Sequence, residues 1–137
     1  MDLRQSLLEL KSQVEYLASL NKEDVTHIIK SSIYEIENLE VFNEEELKEL
    51  NKVILTNEAF HNLYFKYNKE RLITKGVVYL EEENDLQFLI SLFYFFKQRV
   101  PILLKTNTKL QIQSLDIIQK FLKENNISGN FLIKIND

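Results

Sequence analysis

The segment spanning residues 86–99 is apolar on nearly every side when it is placed on a helix. Its polar residues Gln87, Ser91 and Gln98, together with Tyr94, follow spacings of four, three and four, which predicts one narrow wet stripe on an otherwise buried helix. A helix of this kind needs packing partners over most of its surface. We therefore predict that it lies at the centre of a layered fold and packs on a sheet. If it lies at an edge instead, its spare face is a dimer or partner surface.

The second half of the chain alternates between extended and helical patterns. Extended segments are indicated at residues 72–74, 77–80, 101–104 and 131–133, and helices at residues 86–99 and 115–125. The segment 109–113 fits either the first turn of the second helix or a strand that pairs with residues 102–105. Gly76 fits either a bulge or a tight turn. Such alternation favours parallel strands joined by right-handed crossover helices.

The first half of the chain has helical spacing. One apolar seam predicts a first packed helix and consists of Leu3, Leu7, Leu10, Val14 and Leu17. A second helix is expected to begin near Asn21. A third is expected at Asn43, where Glu46 stands three residues later as in a capping box. The third helix continues, or restarts, through residues 57–64.

Together these patterns predict an α/β (or α+β) fold. Amino-terminal helices would pack on a small, mainly parallel sheet of three to four strands with crossover helices. Since parallel sheets are covered on both faces, the crossover helices would cover one face and the amino-terminal helices the other. We expect a single domain over residues 1–137, with a helical subdomain at 1–68 and a β-α-β-α-β subdomain at 69–137.

The composition excludes several kinds of chemistry. The chain of 137 residues has no cysteine, two histidines and two glycines. Disulfides, thiol nucleophiles and thiolate metal sites are therefore excluded, and the glycine-rich loops that cradle phosphates are missing. His27 and His61 are isolated, which favours structural or solvent-exposed roles. The chain has no apolar run of the roughly 20 residues that a membrane span needs, so we expect a cytoplasmic protein that does not enter a membrane. Because residue types suited to catalysis are scarce, we also expect that the protein is not an enzyme and binds no cofactor.

Charge is unevenly placed along the chain. Residues 1–60 hold 13 acidic and 6 basic side chains, a net charge of −7, and residues 61–137 hold 8 acidic and 11 basic ones, a net charge of +3. The densest acidic set consists of Glu35, Glu37, Glu40, Glu44, Glu45, Glu46 and Glu49. The set is either a solvated helical face or a surface that attracts a basic protein partner. The second interpretation predicts a protein-binding module of the inhibitor, immunity or adaptor type, and a homo-oligomer is compatible with it.

An alternative site is indicated at the end of one predicted strand. Glu81 directly follows residues 77–80, and Asp85 stands at the opening of the next helix. Ligands of open α/β sheets bind beyond the carboxyl ends of the strands, and paired carboxylates there suit a hard divalent cation. This alternative predicts a small metal-dependent phosphoryl-transfer or nucleotide-binding domain.

The same two acids resemble those of the Toprim domain of primases, topoisomerases and related nucleases. That family has a glutamate at the end of its first strand, then a glycine, and an acid at the start of the next helix. Glu81 and Asp85 match the two acids by position, whereas Glu82 stands in the place of the glycine. The last strand is followed by Asn136 and Asp137 in place of the family's two aspartates. The resemblance implies a degenerate, inactivated or fold-only relative.

A basic and aromatic segment raises the question of nucleic-acid binding. It contains Lys66, Lys69, Arg71 and Lys75, interleaved with Tyr64, Phe65 and Tyr67. Basic side chains can follow phosphates, and aromatic rings can stack on bases. The chain as a whole is nevertheless acidic, with a net charge of −4, and has only three arginines. We therefore do not expect a nucleic-acid partner.

Overall fold

The computed structural model describes residues 2–55, 71–74 and 76–135, and for residues 71–74 it describes the backbone alone. The helices are α1 (Leu3–Ser12), α2 (Val14–Ala18), α3 (Lys22–Glu37), α4 (Glu44–Leu55), α5 (Asp85–Lys97) and α6 (Lys109–Glu124). The strands are β1 (Arg71–Thr74), β2 (Val77–Glu81), β3 (Ile102–Lys105) and β4 (Leu132–Lys134).

The strands form one four-stranded sheet in the order β1-β2-β3-β4. β1 runs antiparallel to β2, whereas β2, β3 and β4 are parallel, with Val78 beside Ile102 and Ile102 beside Leu132. α5 connects β2 to β3, and α6 connects β3 to β4. The predicted α/β fold with a mainly parallel sheet and crossover helices is therefore confirmed. Residues 109–113 belong to α6, and Gly76, with φ +89°, lies in the turn between β1 and β2.

The two faces of the sheet are covered differently. Alternate side chains point to opposite faces of a strand, and β2 accordingly sends Val77 and Tyr79 to one face and Val78 and Leu80 to the other. On the first face, α1 packs Leu7 and Leu10 against the sheet. On the other face, Val78 and Leu80 belong to the larger of the two hydrophobic clusters, which we call the main core.

The helices α3 and α4 do not cover the sheet in the way that the sequence predicts. They pack on α5 and α6, so the main core has three layers: the sheet, the two crossover helices, and then α3 and α4. Of the helices before the sheet, α1 alone covers the opposite face among the described residues. The physical reason lies in α5, whose apolar surface extends nearly all round and needs cover on the side away from the sheet.

The predicted first helix is broken at Gln13. The N–H of Gln13 donates to the carbonyl of Leu10 at 3.0 Å, and α2 begins at Val14. Leu10 belongs to the cluster under α1, whereas Leu17 belongs to the main core. A straight helix would keep Leu10 and Leu17 on one side, so the break allows the chain to pass from one face of the sheet to the other.

α5 is the central helix that the sequence predicts. Nine consecutive residues, 88–96, are buried, and the Asn84 side chain caps the helix by accepting from the N–H of Gln87 at 3.0 Å. The prediction of a wet stripe is wrong for its two middle residues, because Ser91 and Tyr94 are buried. The sheet packs on one side of α5 and the helices α3 and α4 on the other, and these two layers bury polar positions that the sequence predicts to be exposed.

A lysine joins α5 to α4. The ammonium of Lys97 donates to the carbonyls of Val53 and Ile54 at 3.1 and 2.7 Å. Burial lowers the pKa of Lys97, and the positive charge of Lys22 lowers it further. Cations are favoured near carbonyls at a helix carboxyl end, so Lys97 holds the last described turn of α4 against the central helix.

The buried hydroxyl of Ser32 yields a stability prediction. Ser32 in α3 is 0% exposed, and its Oγ has no hydrogen-bond partner among the described residues. Because an unpaired buried hydroxyl is costly and alanine has the higher helix propensity, Ser32→Ala should raise the free energy of unfolding by about 1 kcal/mol. Urea unfolding measures the change. The matched control is the partly buried Ser31→Ala, which should stabilise less, and a loss of stability in Ser32→Ala would contradict the argument.

Several expectations fall outside the described residues. They concern the continuation of the third helix through residues 57–64, His61, the subdomain boundary at residues 68 and 69, and most of the basic and aromatic segment. His27 is exposed on α3. Within the ranges that the structure describes, no helix has the length and apolar character needed to cross a membrane.

Candidate functional site

The predicted acidic surface lies where α3 ends and α4 begins. Asn43 and Glu46 cap α4 reciprocally: the N–H of Asn43 donates to the Glu46 carboxylate at 3.0 Å, and the N–H of Glu46 donates to the Asn43 side chain at 2.9 Å. The predicted capping box is therefore confirmed. It fixes the start of α4, and it gives Glu46 a structural role.

The structure separates the seven predicted glutamates. Glu35 faces α6 and pairs with Lys120 at 2.5 Å between carboxylate and ammonium. Glu49 pairs with Lys52 one turn further along α4, at 2.8 Å. With Glu46 used in the cap, three of the seven already have a partner within the chain.

The remaining glutamates are Glu37, Glu40, Glu44 and Glu45, and we call them the acidic end. All four are exposed. Within the described part of the chain none of them has an ion pair or a side-chain hydrogen bond. The acidic end therefore presents four negative charges to solvent over the last turn of α3, the connection and the first turn of α4.

A groove of about 500 Å³ begins at the acidic end and follows α4. Its lining consists of Glu37, Glu44, Leu47, Lys48, Asn51, Lys52 and Leu55. The charge of Lys52 is compensated by Glu49. The groove thus joins two carboxylates of the acidic end to an exposed leucine at its far end.

The carboxyl end of α3 departs from the usual electrostatics of helices. Cations are favoured in the last turn of a helix and anions are disfavoured there, because the carbonyl end of the helix dipole is negative. Among the described helices of ten residues or more, α1, α4, α5 and α6 each carry a lysine in the last turn, whereas α3 carries no basic residue there. Glu37 occupies that turn instead.

The backbone of the connection after α3 also departs from the conformation that its residues prefer. Glu40 adopts φ +58°, in the left-handed region that favours glycine and asparagine. Two of the four glutamates of the acidic end therefore stand where other residues would stabilise the fold better. Departures of this kind concentrate at functional sites, where stability and function compete.

This departure yields a stability prediction. Glu37→Lys places a cation at the negative end of α3, and Glu40→Asn relieves the left-handed backbone, so the double variant should gain about 1 kcal/mol in the free energy of unfolding. Thermal or urea unfolding measures the gain. Asp116→Lys, in the middle of the exposed face of α6, is the control and should change stability little. A destabilised double variant would show that the two glutamates support the fold.

The alternative site at the carboxyl edge of the sheet contains a buried amide. Gln111 in α6 is 0% exposed. Its amide nitrogen donates to the carbonyl of Glu82 at 2.7 Å and to the Asp85 carboxylate at 3.3 Å, and its amide oxygen accepts from the N–H of Asn107 at 2.8 Å. The Thr108 hydroxyl donates to the same oxygen of Asp85 at 2.7 Å. Asp85 thus links the start of α5 to the start of α6.

Glu81 takes part in a different set of contacts. It lies beside Lys105 on the neighbouring strand, with 3.8 Å between the carboxylate and the ammonium. Its other carboxylate oxygen accepts from the Tyr79 hydroxyl at 2.8 Å. Glu81 and Asp85 therefore serve separate contacts, and no group of three or more histidine, aspartate or glutamate side chains within the described ranges could hold a metal ion.

The sequence reasoning missed Thr108 and Gln111. The signal was present, because a threonine followed three residues later by glutamine is the spacing of a capping box. The Thr108 hydroxyl does accept from the N–H of Gln111 at 3.1 Å. The fold then uses the Gln111 amide for longer-range contacts with Glu82 and Asp85.

Comparison of the chain with protein-family models, with curated proteins and with solved structures finds no match. The likeness to Toprim domains thus rests on the positions of Glu81 and Asp85 and on the strand–helix–strand order that follows them.

Proposed function

We propose that this chain is a non-catalytic protein-binding module that engages a basic protein partner through the acidic end. One observation carries the proposal: four exposed carboxylates with no partner among the described residues lie between residues 37 and 45, and two of them, Glu37 and Glu40, occupy positions that local stability disfavours. Side chains retained against local stability are expected where binding requires them.

The charge of the acidic end suits the recognition of a basic surface. At physiological ionic strength charges act over a Debye length of about 8 Å, so four neighbouring carboxylates attract a partner jointly. Complementary charge of this kind raises the association rate and selects against acidic partners. Binding should therefore weaken as salt is added.

Large side chains close to the acidic end support the same proposal. Tyr34 is 67% exposed and precedes Glu37 by three residues, which places the two on neighbouring parts of α3. Val41 is 50% exposed in the connection between α3 and α4. Aromatic and aliphatic anchors beside charged groups are typical of protein interfaces. An inhibitor, an immunity protein or an adaptor can act through such a surface without any catalytic group.

The test compares two variants with equal changes in charge. Glu37→Lys with Glu40→Asn changes the net charge by +3 at the acidic end, and Asp116→Lys with Glu9→Gln changes it by +3 on exposed parts of α6 and α1. Each protein is immobilised, lysate of the source organism is applied, and bound protein is eluted with a salt gradient. We expect the original chain and the control to retain the same basic partner, eluted by moderate salt, and the first variant to lose it.

The stability prediction for Glu37→Lys with Glu40→Asn makes this test decisive. Once urea unfolding shows that this variant is at least as stable as the original chain, unfolding cannot account for lost binding. Retention of the same partner at the same salt concentration by both variants would refute the proposal.

A further inference from the structure

One stripe of α4 runs the length of the groove. Glu44, Lys48, Asn51 and Leu55 are spaced by four, three and four residues, so they share one side of the helix, and all four are exposed. At a rise of about 1.5 Å per residue the stripe is about 16 Å long, or three helical turns. All four residues line the groove together with Glu37.

The chemistry of the stripe changes along its length. Glu44 lies at its acidic start, and Lys48 follows one turn later. Leu55 lies at the far end with 83% of its surface exposed. A uniformly basic segment laid on the stripe would meet the positive charge of Lys48 and would leave Leu55 in water. The stripe therefore fits a partner with a basic end and an apolar end.

We propose that the partner docks a helix antiparallel to α4 on this stripe, with basic residues in its last turn and an apolar residue about three turns earlier. Basic residues are favoured at the carboxyl end of a helix. An antiparallel helix places that end beside Glu37 and Glu44, and places its earlier turns beside Leu55. This inference rests on the proposed function, since it specifies the segment of the basic partner that meets the acidic end.

Two synthetic peptides test the inference. The first is a 16-residue alanine-based helix with three lysines in its last turn and one leucine eleven residues earlier, and the second has alanine in place of that leucine. Affinities are measured by calorimetry at low salt. We expect the leucine peptide to bind the original chain about fivefold more tightly or better, because leucine and Leu55 leave water together.

Variants of the chain show which residue produces the tighter binding of the leucine peptide. Leu55→Ser should abolish the advantage of the leucine peptide, whereas Leu8→Ser, at an exposed leucine of α1, should preserve it. Equal binding of the two peptides by the original chain, or equal losses in the two serine variants, would overturn the inference. Glu44→Gln should weaken both peptides; peptides that bind equally well after Glu44→Gln, or that do not bind the original chain at all, would overturn the inference as well. The capture experiment with Glu37→Lys and Glu40→Asn decides the proposed function separately.

Sedimentation of the protein alone shows whether a second copy of the chain, instead of a partner helix, occupies the stripe. We expect no concentration-dependent dimer that involves this stripe. A dimer that dissociates in Leu55→Ser but persists in Leu8→Ser would identify a second copy as the occupant and overturn the inference.

Discussion

Replacing Phe96 with alanine is expected to lower the free energy of unfolding by about 3–5 kcal/mol. Phe96 lies near the end of the central helix α5 and is 0% exposed. Its ring stacks on that of Phe131, with 5.0 Å between the ring centroids and 12° between the ring planes. Removing the ring leaves a cavity between α5 and the segment that leads into β4. Urea unfolding followed by circular dichroism measures the loss, which is a large fraction of the roughly 5–15 kcal/mol that holds a typical domain together.

The control for this prediction is another phenylalanine at the edge of the core. Phe121 in α6 is only partly buried, and the ammonium of Lys120 lies 4.6 Å from its ring centroid. Phe121→Ala should therefore cost clearly less than Phe96→Ala. Equal losses in the two variants would mean that α5 is not enclosed between two layers.

Replacing Gln111 with methionine is expected to lower the free energy of unfolding by about 2–4 kcal/mol. Methionine has nearly the same shape but no amide, so the N–H of Asn107, the carbonyl of Glu82 and one oxygen of Asp85 each lose a partner. Gln111 itself is 0% exposed and Glu82 and Asp85 are partly buried, so water replaces the lost partners only in part, and a polar group without a partner costs more than the net value of its hydrogen bond. Urea unfolding again provides the measurement.

Gln113→Met supplies the matched control, because Gln113 is exposed on the same helix. It should leave stability almost unchanged. If Gln111→Met also has no effect, the carboxyl edge is not held together by this amide.

The helix starts that the sequence predicts correctly depend on short spacings along the chain. Asn21 and Asn43 with Glu46 cap helices where the sequence predicts helix starts, and each cap joins groups three residues apart. The polar group and the backbone N–H that it satisfies are thus close in sequence, so neighbouring residues suffice to place the helix ends. The position of α5 at the centre was predictable for a related reason, because a helix that is apolar all round has no stable surface position.

The candidate site was predictable only in part. The density of glutamates between residues 35 and 49 is a property of the sequence. The separation of Glu35 from Glu37 depends on Lys120, which is 85 residues away along the chain. The exposure of Leu55 likewise depends on which side of α4 faces α5.

Local sequence patterns predict the starts of α3 and α4, the central apolar helix, the mainly parallel sheet and the acidic character of the segment around α3 and α4. The break at Gln13, the burial of Ser91 and Tyr94, the contacts of Gln111 and the pairing of Glu35 with Lys120 depend on the tertiary structure. The physical reason is the range of the interactions. Caps and periodic apolar faces arise between residues a few positions apart, whereas burial and ion pairing depend on which distant elements the whole chain brings together.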